Sequence, residues 1–306
     1  MTAPAQRAPA SSFLQRPRDA SRRLRALLAR AEPLVVPGAF DSASAVLVQR
    51  AGFDTVYLSG FGVSASALGR PDIGLTTMTE MVDAARRMVQ AVDIPVIADA
   101  DTGYGNALNV VRTVYEYERA GVAALQIEDQ VAPKRCGHMS GKQVVDAAEA
   151  EARIRAAVSA RTDPDLVVVA RTDAAQVHGI AEAIERARRF ADAGADVLFV
   201  EAPSRIEDVR RVARELKDHC LLFNWVEGGR TEHLTFAEVA DLGFRLVLFP
   251  VSTLLAATKG VQSVLATLHA QSSTDTAMER MAGFEEMSEL LGLGEIRSIG
   301  ESFAVD

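Results

Sequence analysis

Only two cysteines, Cys136 and Cys220, occur in 306 residues. That is too few for a disulfide framework, and a reducing cytoplasm is the expected setting. No apolar run reaches the ~18 residues of a membrane-spanning helix, so no membrane is expected as a partner. Basic charge is short as well: 33 Lys and Arg against 41 Asp and Glu leave a net charge of -8, which argues against nucleic acid. Lysine is scarcest, with four of the 33 basic residues, yet Lys134 and Lys142 fall in one short loop. That placement suggests a need for ammonium groups there. The dinucleotide fingerprint is also missing, because Gly103-x-Gly105 has Leu108 where a third glycine belongs.

What is present is an alternation. After residues 1–17, whose Ala-, Pro- and Ser-rich composition predicts a mobile tail, residues 19–31 predict an amphipathic helix with Leu24, Leu27 and Leu28 on one side. The Arg-rich start superficially resembles a transit peptide, but arginine pervades the whole chain. Eight short apolar runs follow, near 34–36, 55–58, 94–98, 123–127, 166–170, 196–200, 220–223 and 245–249. Helical segments separate them. Thr77 with Glu80, Ser204 with Glu207, and Thr235 with Glu238 read as capping boxes, and Gly52, Gly121 and Gly194 as helix stops. Eight such units predict an α/β fold, a (β/α)8 barrel of TIM type filling residues 18–306 as one domain. A doubly wound sheet is the structural alternative. Helical stretches at 252–271 and 276–291 exceed what a closed barrel needs, and would cap it or reach a neighbouring subunit.

Barrel sites lie at the C-terminal ends of the strands. There the runs deliver Ser59-Gly60-Phe61, Asp99 with Asp101, Glu128, Arg171 with Asp173, Glu201 and Asn224. Any one acid after a strand reads first as a helix cap; the convergence of so many does not. Asp99 and Asp101, two apart, would share a face if the strand continued, with Glu128 beside them. An all-oxygen set favours Mg²⁺, or Mn²⁺, over zinc, with one or two direct carboxylates and the rest acting through water. The loop Lys134-Arg135-Cys136-Gly137-His138 packs a thiol among cations, which would lower its pKa and ready it for proton transfer. His138 is either an acid–base group or an anchor for substrate anions. Cys220 reads as a small core residue, and His178, His219, His233 and His269 as surface residues.

LSGFGVSASALGRPD, DADTGYGN, IEDQVAPKRCGHMSGK and ARTDA, with Glu201 and Asn224, resemble the isocitrate lyase/phosphoenolpyruvate mutase superfamily from about Val36 onward. The resemblance implies a barrel whose eighth helix is swapped between subunits of a homo-oligomer, a dimer of dimers. It implies Mg²⁺ at Asp99 and Asp101, with Asp72 and Glu128 in the surrounding shell through water. Ser59, Gly60 and Phe61 would hold the 2-oxo-acid end of a small carboxylic-acid substrate. Arg171 and Asn224 would contact carboxylates supported by Glu201, and Lys134 to His138 would form the gating loop, with Gly137 lining the site and Lys134, Cys136 and His138 as catalytic residues. The implied chemistry is cleavage of a carbon–carbon bond in a 2-hydroxy di- or tricarboxylate, with Cys136 as acid. Alternatives are phosphorus–carbon bond formation by a phosphonomutase, oxaloacetate cleavage or decarboxylation, and a non-catalytic acid-binding protein. Two positions depart from the methylisocitrate lyases: Phe61 replaces a glycine, and Leu255 an arginine that receives an additional carboxylate. NWVEGGRT (224–231) looks more like the dimethylmalate lyase and phosphonomutase branch, which favours an alkylmalate.

Overall fold

The computed structural model describes residues 19–304; the expected N-terminal tail lies outside them. Eight parallel strands close into a barrel in sequence order. They are β1 (Leu34–Ala39), β2 (Val56–Leu58), β3 (Val96–Asp99), β4 (Ala124–Glu128), β5 (Val167–Thr172), β6 (Val197–Val200), β7 (Leu221–Asn224) and β8 (Leu246–Phe249). All eight expected runs are strands, and β8 pairs back onto β1. The doubly wound alternative, an open sheet, is thereby set aside.

Alternation along each strand divides the core in two. One set of side chains, including Val36, Tyr57, Ile97, Ala124, Val169, Phe199, Leu222 and Leu248, fills the barrel interior. The other faces the outer helices α2 (Ser42–Arg50), α4 (Met78–Ala91), α5 (Ala107–Ala120), α6 (Ala147–Ala160), α8 (Ile180–Asp192), α9 (Ile206–Glu215) and α10 (Phe236–Asp241). Two short helices, α3 (Gly60–Val63) and α7 (Ala174–Val177), begin directly after β2 and β5. Helix α1 (Ala20–Leu28) plugs the bottom: Leu24 and Leu27 join the interior cluster, and Arg25 pairs with Asp196 at 2.9 Å. Burying a leucine such as Leu24 stabilises the fold by roughly 2 kcal/mol.

The Thr77 and Thr235 capping boxes form as expected. Ser204 does not cap: α9 starts after Arg205, and its first free N–H, that of Ile206, is taken instead by Glu232 at 2.9 Å. A side chain remote in sequence thus satisfies what a local box was expected to satisfy. The surplus C-terminal helices are α11 (Ser252–Gln271), α12 (Phe284–Leu290) and α13 (Leu293–Ser302). The expected second stretch, 276–291, is broken into a 3-10 turn over Asp275–Arg280 and then α12, with Gly283 at the new helix start. No residue of α11, α12 or α13 is buried. Among the described residues no helix is long and apolar enough to cross a membrane.

Candidate active site

The inward-facing rows continue past the strand ends into the barrel mouth. Tyr57 leads to Ser59, Ile97 to Asp99, Gln126 to Glu128, Val169 to Arg171, Phe199 to Glu201 and Leu222 to Asn224. Strand periodicity alone therefore converges these side chains. Ser59, Asp99, Arg171, Glu201 and Asn224 line a cavity of about 260 Å³ together with Phe61, Asp72, Lys134, Cys136, Gly137 and His138, and Glu128 stands behind Arg171, 3.3 Å from its Nε. The volume sits at the small end of ligand sites, right for an acid of a few carbons.

Asp99 and Asp101 meet, though not on a continued strand. β3 ends at Asp99, Asp101 adopts a left-handed backbone (φ 46°), and its N–H donates to Asp99 Oδ1 at 3.0 Å. The turn brings two like charges together at nearly full burial. Gly60 N–H approaches Asp99 Oδ2 at 3.3 Å, and a Cβ at position 60 would stand 2.7 Å from that oxygen. Lys134 reaches in from the loop after β4, its Nζ 2.6 Å from Asp72 Oδ1 and 2.7 Å from Asp101 Oδ1. Burial pushes the Asp101 carboxyl up to about 7, with Asp99 and Asp72 adding to the rise against the pull of Lys134. Burial works against the charge on Lys134, but Asp101, Asp72, Asp99 and Glu128 outweigh it and hold its pKa well above the ordinary lysine value. Glu128 is raised too, chiefly by burial, and its Oε1 has no partner.

Among the described residues seven buried carboxylates (Asp72, Asp99, Asp101, Glu128, Asp129, Asp173 and Glu201) stand against five buried cations, Lys134, Lys142, Arg153, Arg171 and Arg186, and Arg153 is already paired with the half-exposed Glu149. That imbalance, with the Oε1 of Glu128 left without a partner, fits a divalent cation. Among the described residues no three Asp, Glu, His or Cys side chains form a complete metal cage. Mg²⁺ typically takes one or two carboxylates and keeps waters for the remainder.

The opposite wall is cationic and braced. Arg171 makes a two-pronged pair with Asp173 at 2.8 and 3.0 Å, lies 3.3 Å from Glu128, and packs over the Phe199 ring. Burial would raise the Asp173 carboxyl, but Arg171 and Lys142 overrule it and hold it at about 2. Asn224 Nδ2 donates to Glu201 Oε2 at 3.1 Å, leaving its own Oδ1 without a partner. Lys142 joins Asp173 at 2.7 Å and donates to the carbonyl of Gly137. The scarcity of lysine pointed at Lys142 but gave it no task; here it ties the root of the loop to the barrel. Asp129, at the end of β4, binds Arg186, Thr172 and the N–H of Asp173. This brace joins residues far apart in sequence, and of them only Asp173 stood out beforehand.

The loop lies closed over the mouth. A Cβ at Gly137 would come within 2.6 Å of Glu201 Cδ, and closer still to Arg171. Cys136 faces the cavity, but its thiol is pushed up to about 11, contrary to the expectation of a lowered pKa. Burial raises it, Asp72 and Glu201 add to the rise, and Arg171 with a backbone hydrogen bond from His138 compensates only in part. The expected cations look elsewhere: Lys134 toward Asp72 and Asp101, Arg135 toward the Ser140 carbonyl. A thiol that keeps its proton is suited to donating it. Cys220 is partly buried at the barrel bottom, and the other four histidines are exposed, as expected.

Phe61, Val226, Leu248, Pro250, Val251 and Leu255 form an apolar side of the cavity. Leu255 comes from α11, so the first turn of that helix contributes to the site.

The phosphoenolpyruvate phosphomutase family profile matches residues 24–269. Over 282 residues the chain is 46% identical to 2,3-dimethylmalate lyase of Eubacterium barkeri, covering 92% of this chain and 97% of that one. It is 41% identical to 2-methylisocitrate lyase of Aeropyrum pernix, over 88% of this chain and 86% of the relative. Among solved structures, oxaloacetate acetylhydrolase bound to 3,3-difluorooxalacetate superposes with a TM-score of 0.89 at 37% identity, covering 94% of this chain and 98% of that one. Phosphonopyruvate hydrolase, solved with oxalate and Mg²⁺, gives 0.84 at 28% identity, covering 92% and 98%.

Proposed function

The chain belongs to the phosphoenolpyruvate mutase/isocitrate lyase superfamily, and on that premise we propose that it is a Mg²⁺-dependent carbon–carbon lyase acting on a 2-alkylmalate-type dicarboxylate. The observation that carries this reading is the split character of the cavity. Acids and Arg171 line one side, and Phe61, Val251 and Leu255 line another, with no cation among the described residues there to meet a third carboxylate. A branched, partly apolar dicarboxylate matches both sides; a tricarboxylate would set its third charge against Leu255 with no cation to pair it.

Asp99 and Asp101 would hold the cation, with Asp72 and Glu128 around it through water. When bound, Mg²⁺ supplies Lewis-acid polarisation of the substrate's carboxylate and hydroxyl oxygens. Ser59, Gly60 and Phe61 orient the end that becomes the 2-oxo acid, while Arg171 and Asn224, steadied by Glu201, bind carboxylate oxygens. A basic group takes the hydroxyl proton, the electron pair left on oxygen forms the second bond of the new carbonyl, and the C2–C3 pair passes to the leaving fragment. That fragment carries its charge as an enediolate facing Arg171. Cys136, still protonated at neutral pH, gives its proton to the carbanionic carbon. Lys134, held charged between Asp72 and Asp101, contributes positive charge and closes the loop against water.

The test is turnover of 2,3-dimethylmalate, methylisocitrate, isocitrate and oxaloacetate with Mg²⁺, followed by coupled reduction of the released 2-oxo acid. Dimethylmalate is expected to be cleaved best, and Cys136→Ser to abolish cleavage while Mg²⁺ binding by calorimetry persists. No turnover of any substrate would sink the lyase reading. The unburied, apolar α11, with Val261, Leu265 and Leu268 exposed, supports a further expectation that it exchanges between subunits. Light scattering should then give a mass well above the 32.8 kDa of one chain; a monomer would refute the exchange.

A further inference from the structure

We infer that the loop after β7 fixes His138 as a neutral hydrogen-bond donor, with its Nε2–H presented to the substrate, and that His138 is not the proton-transfer group. The inference deepens the lyase reading and rests on it only for the identity of the oxygen that accepts. Its basis is the contact between the closed loop and Gly229-Arg230.

The backbone N–H of Arg230 lies 3.1 Å from His138 Nδ1. A backbone amide can only donate, so Nδ1 must offer its lone pair, and the proton of a neutral imidazole then resides on Nε2. Protonating Nδ1 as well would set two N–H groups against each other. The Arg230 side chain secures the arrangement from outside, its Nε donating to the His138 carbonyl at 2.8 Å. Gly229 makes room for the ring: a Cβ there would stand 2.8 Å from Cε1 and 2.9 Å from Nδ1. Its backbone is not left-handed, so the glycine serves space and not conformation.

On the other edge, Nε2 is buried without a hydrogen-bond partner. Glu201 Oε1 lies 3.4 Å away and makes no hydrogen bond with it. A buried donor beside a cavity with no partner is a place for a ligand oxygen. Glu201 and Asp173 favour a second proton on the ring while Arg171 and Lys142 oppose it; burial decides, holding His138 below the ordinary histidine pKa and hence neutral at pH 7. The tasks then divide. Cys136 carries the mobile proton, and His138 supplies a fixed N–H dipole toward a carbonyl or carboxylate oxygen. Because that dipole is set by Gly229-Arg230, the β7 loop positions a residue of the gating loop.

Proton–nitrogen correlation spectra of ¹⁵N-histidine-labelled protein would read the tautomer directly, with His138 identified by its loss in His138→Gln. The Nε2–H pattern is expected at pH 7, and Gly229→Ala should mix or reverse it. A Nδ1–H or doubly protonated ring in the wild type, or a Gly229→Ala spectrum that does not move, would overturn the inference. Kinetics give a second arm. His138→Gln keeps an N–H near the Nε2 position but relays no proton, so kcat should stay within about tenfold of wild type, while His138→Ala should fall about a hundredfold. A Gln variant as impaired as the Ala variant would overturn the donor role. If the wild type cleaves nothing, the lyase reading fails, and the spectra still decide the tautomer.

Discussion

Gly137→Ala tests the closed loop most sharply, because the change adds one methyl group at a point of contact. That methyl would sit 2.6 Å from Glu201 Cδ, with Glu201 Oε1 and Arg171 Nη2 nearer still. Neither neighbour can retreat. Glu201 is 1% exposed and bonded to Asn224, and Arg171 is pinned in two-pronged fashion by Asp173. The loop must therefore lift by about 1 Å, a displacement that costs on the order of a hundredfold in rate when reacting groups are misplaced. A hundredfold loss corresponds to about 2.7 kcal/mol of transition-state stabilisation. The barrel itself is untouched, since the strain falls on a surface loop, so the melting temperature should hold within a degree or two. The assay is kcat/KM for the best alkylmalate, alongside thermal unfolding of the same preparation. Activity within threefold of wild type would refute the closed-loop packing; equal collapse of stability and activity would show that the loop is part of the folding core.

Two further expectations concern the cation and the substrate. Asp101 has a folded pKa of about 7 against an ordinary 3.8, because burial opposes its charge. In metal-free protein its favourable contribution is complete below pH 3.8 and is lost as the pH climbs through 7, where the carboxylate must ionise at a cost. A divalent cation relieves that cost, so the Mg²⁺-induced rise in melting temperature should be small at pH 5 and larger at pH 8; equal rises at both would count against Asp101 as a ligand. Leu255→Arg should shift the kcat/KM ratio of methylisocitrate to 2,3-dimethylmalate upward by about tenfold, equivalent to about 1.4 kcal/mol, and an unchanged ratio would remove Leu255 from specificity.

The barrel was legible in the sequence because each strand is a short apolar run ending in a polar group, and a repeat of two residues carries that group to the mouth. Asp99, Glu128, Arg171 and Asn224 could be placed by that rule. Asp101 could not, since its meeting with Asp99 depends on a left-handed turn after the strand. The direction of the Cys136 shift was also hidden. Neighbours in sequence, Lys134 and Arg135, suggested a lowered pKa, but folding turns both cations away and brings Asp72 and Glu201 close. Where Ser204 was expected to cap α9, a distant Glu232 does so. In each case a local rule yielded to a partner brought in by the fold.

Asp173 shows how far such partnerships reach. Its two oxygens hold Arg171, and one of them also holds Lys142, which in turn grips the Gly137 carbonyl. The arginine of the cavity wall and the loop that covers it thus hang from a single carboxylate. Genetic change at either one will be felt by the other, so mutational effects in this corner will not sum, and a change of residue at Arg171 must carry a compatible loop with it.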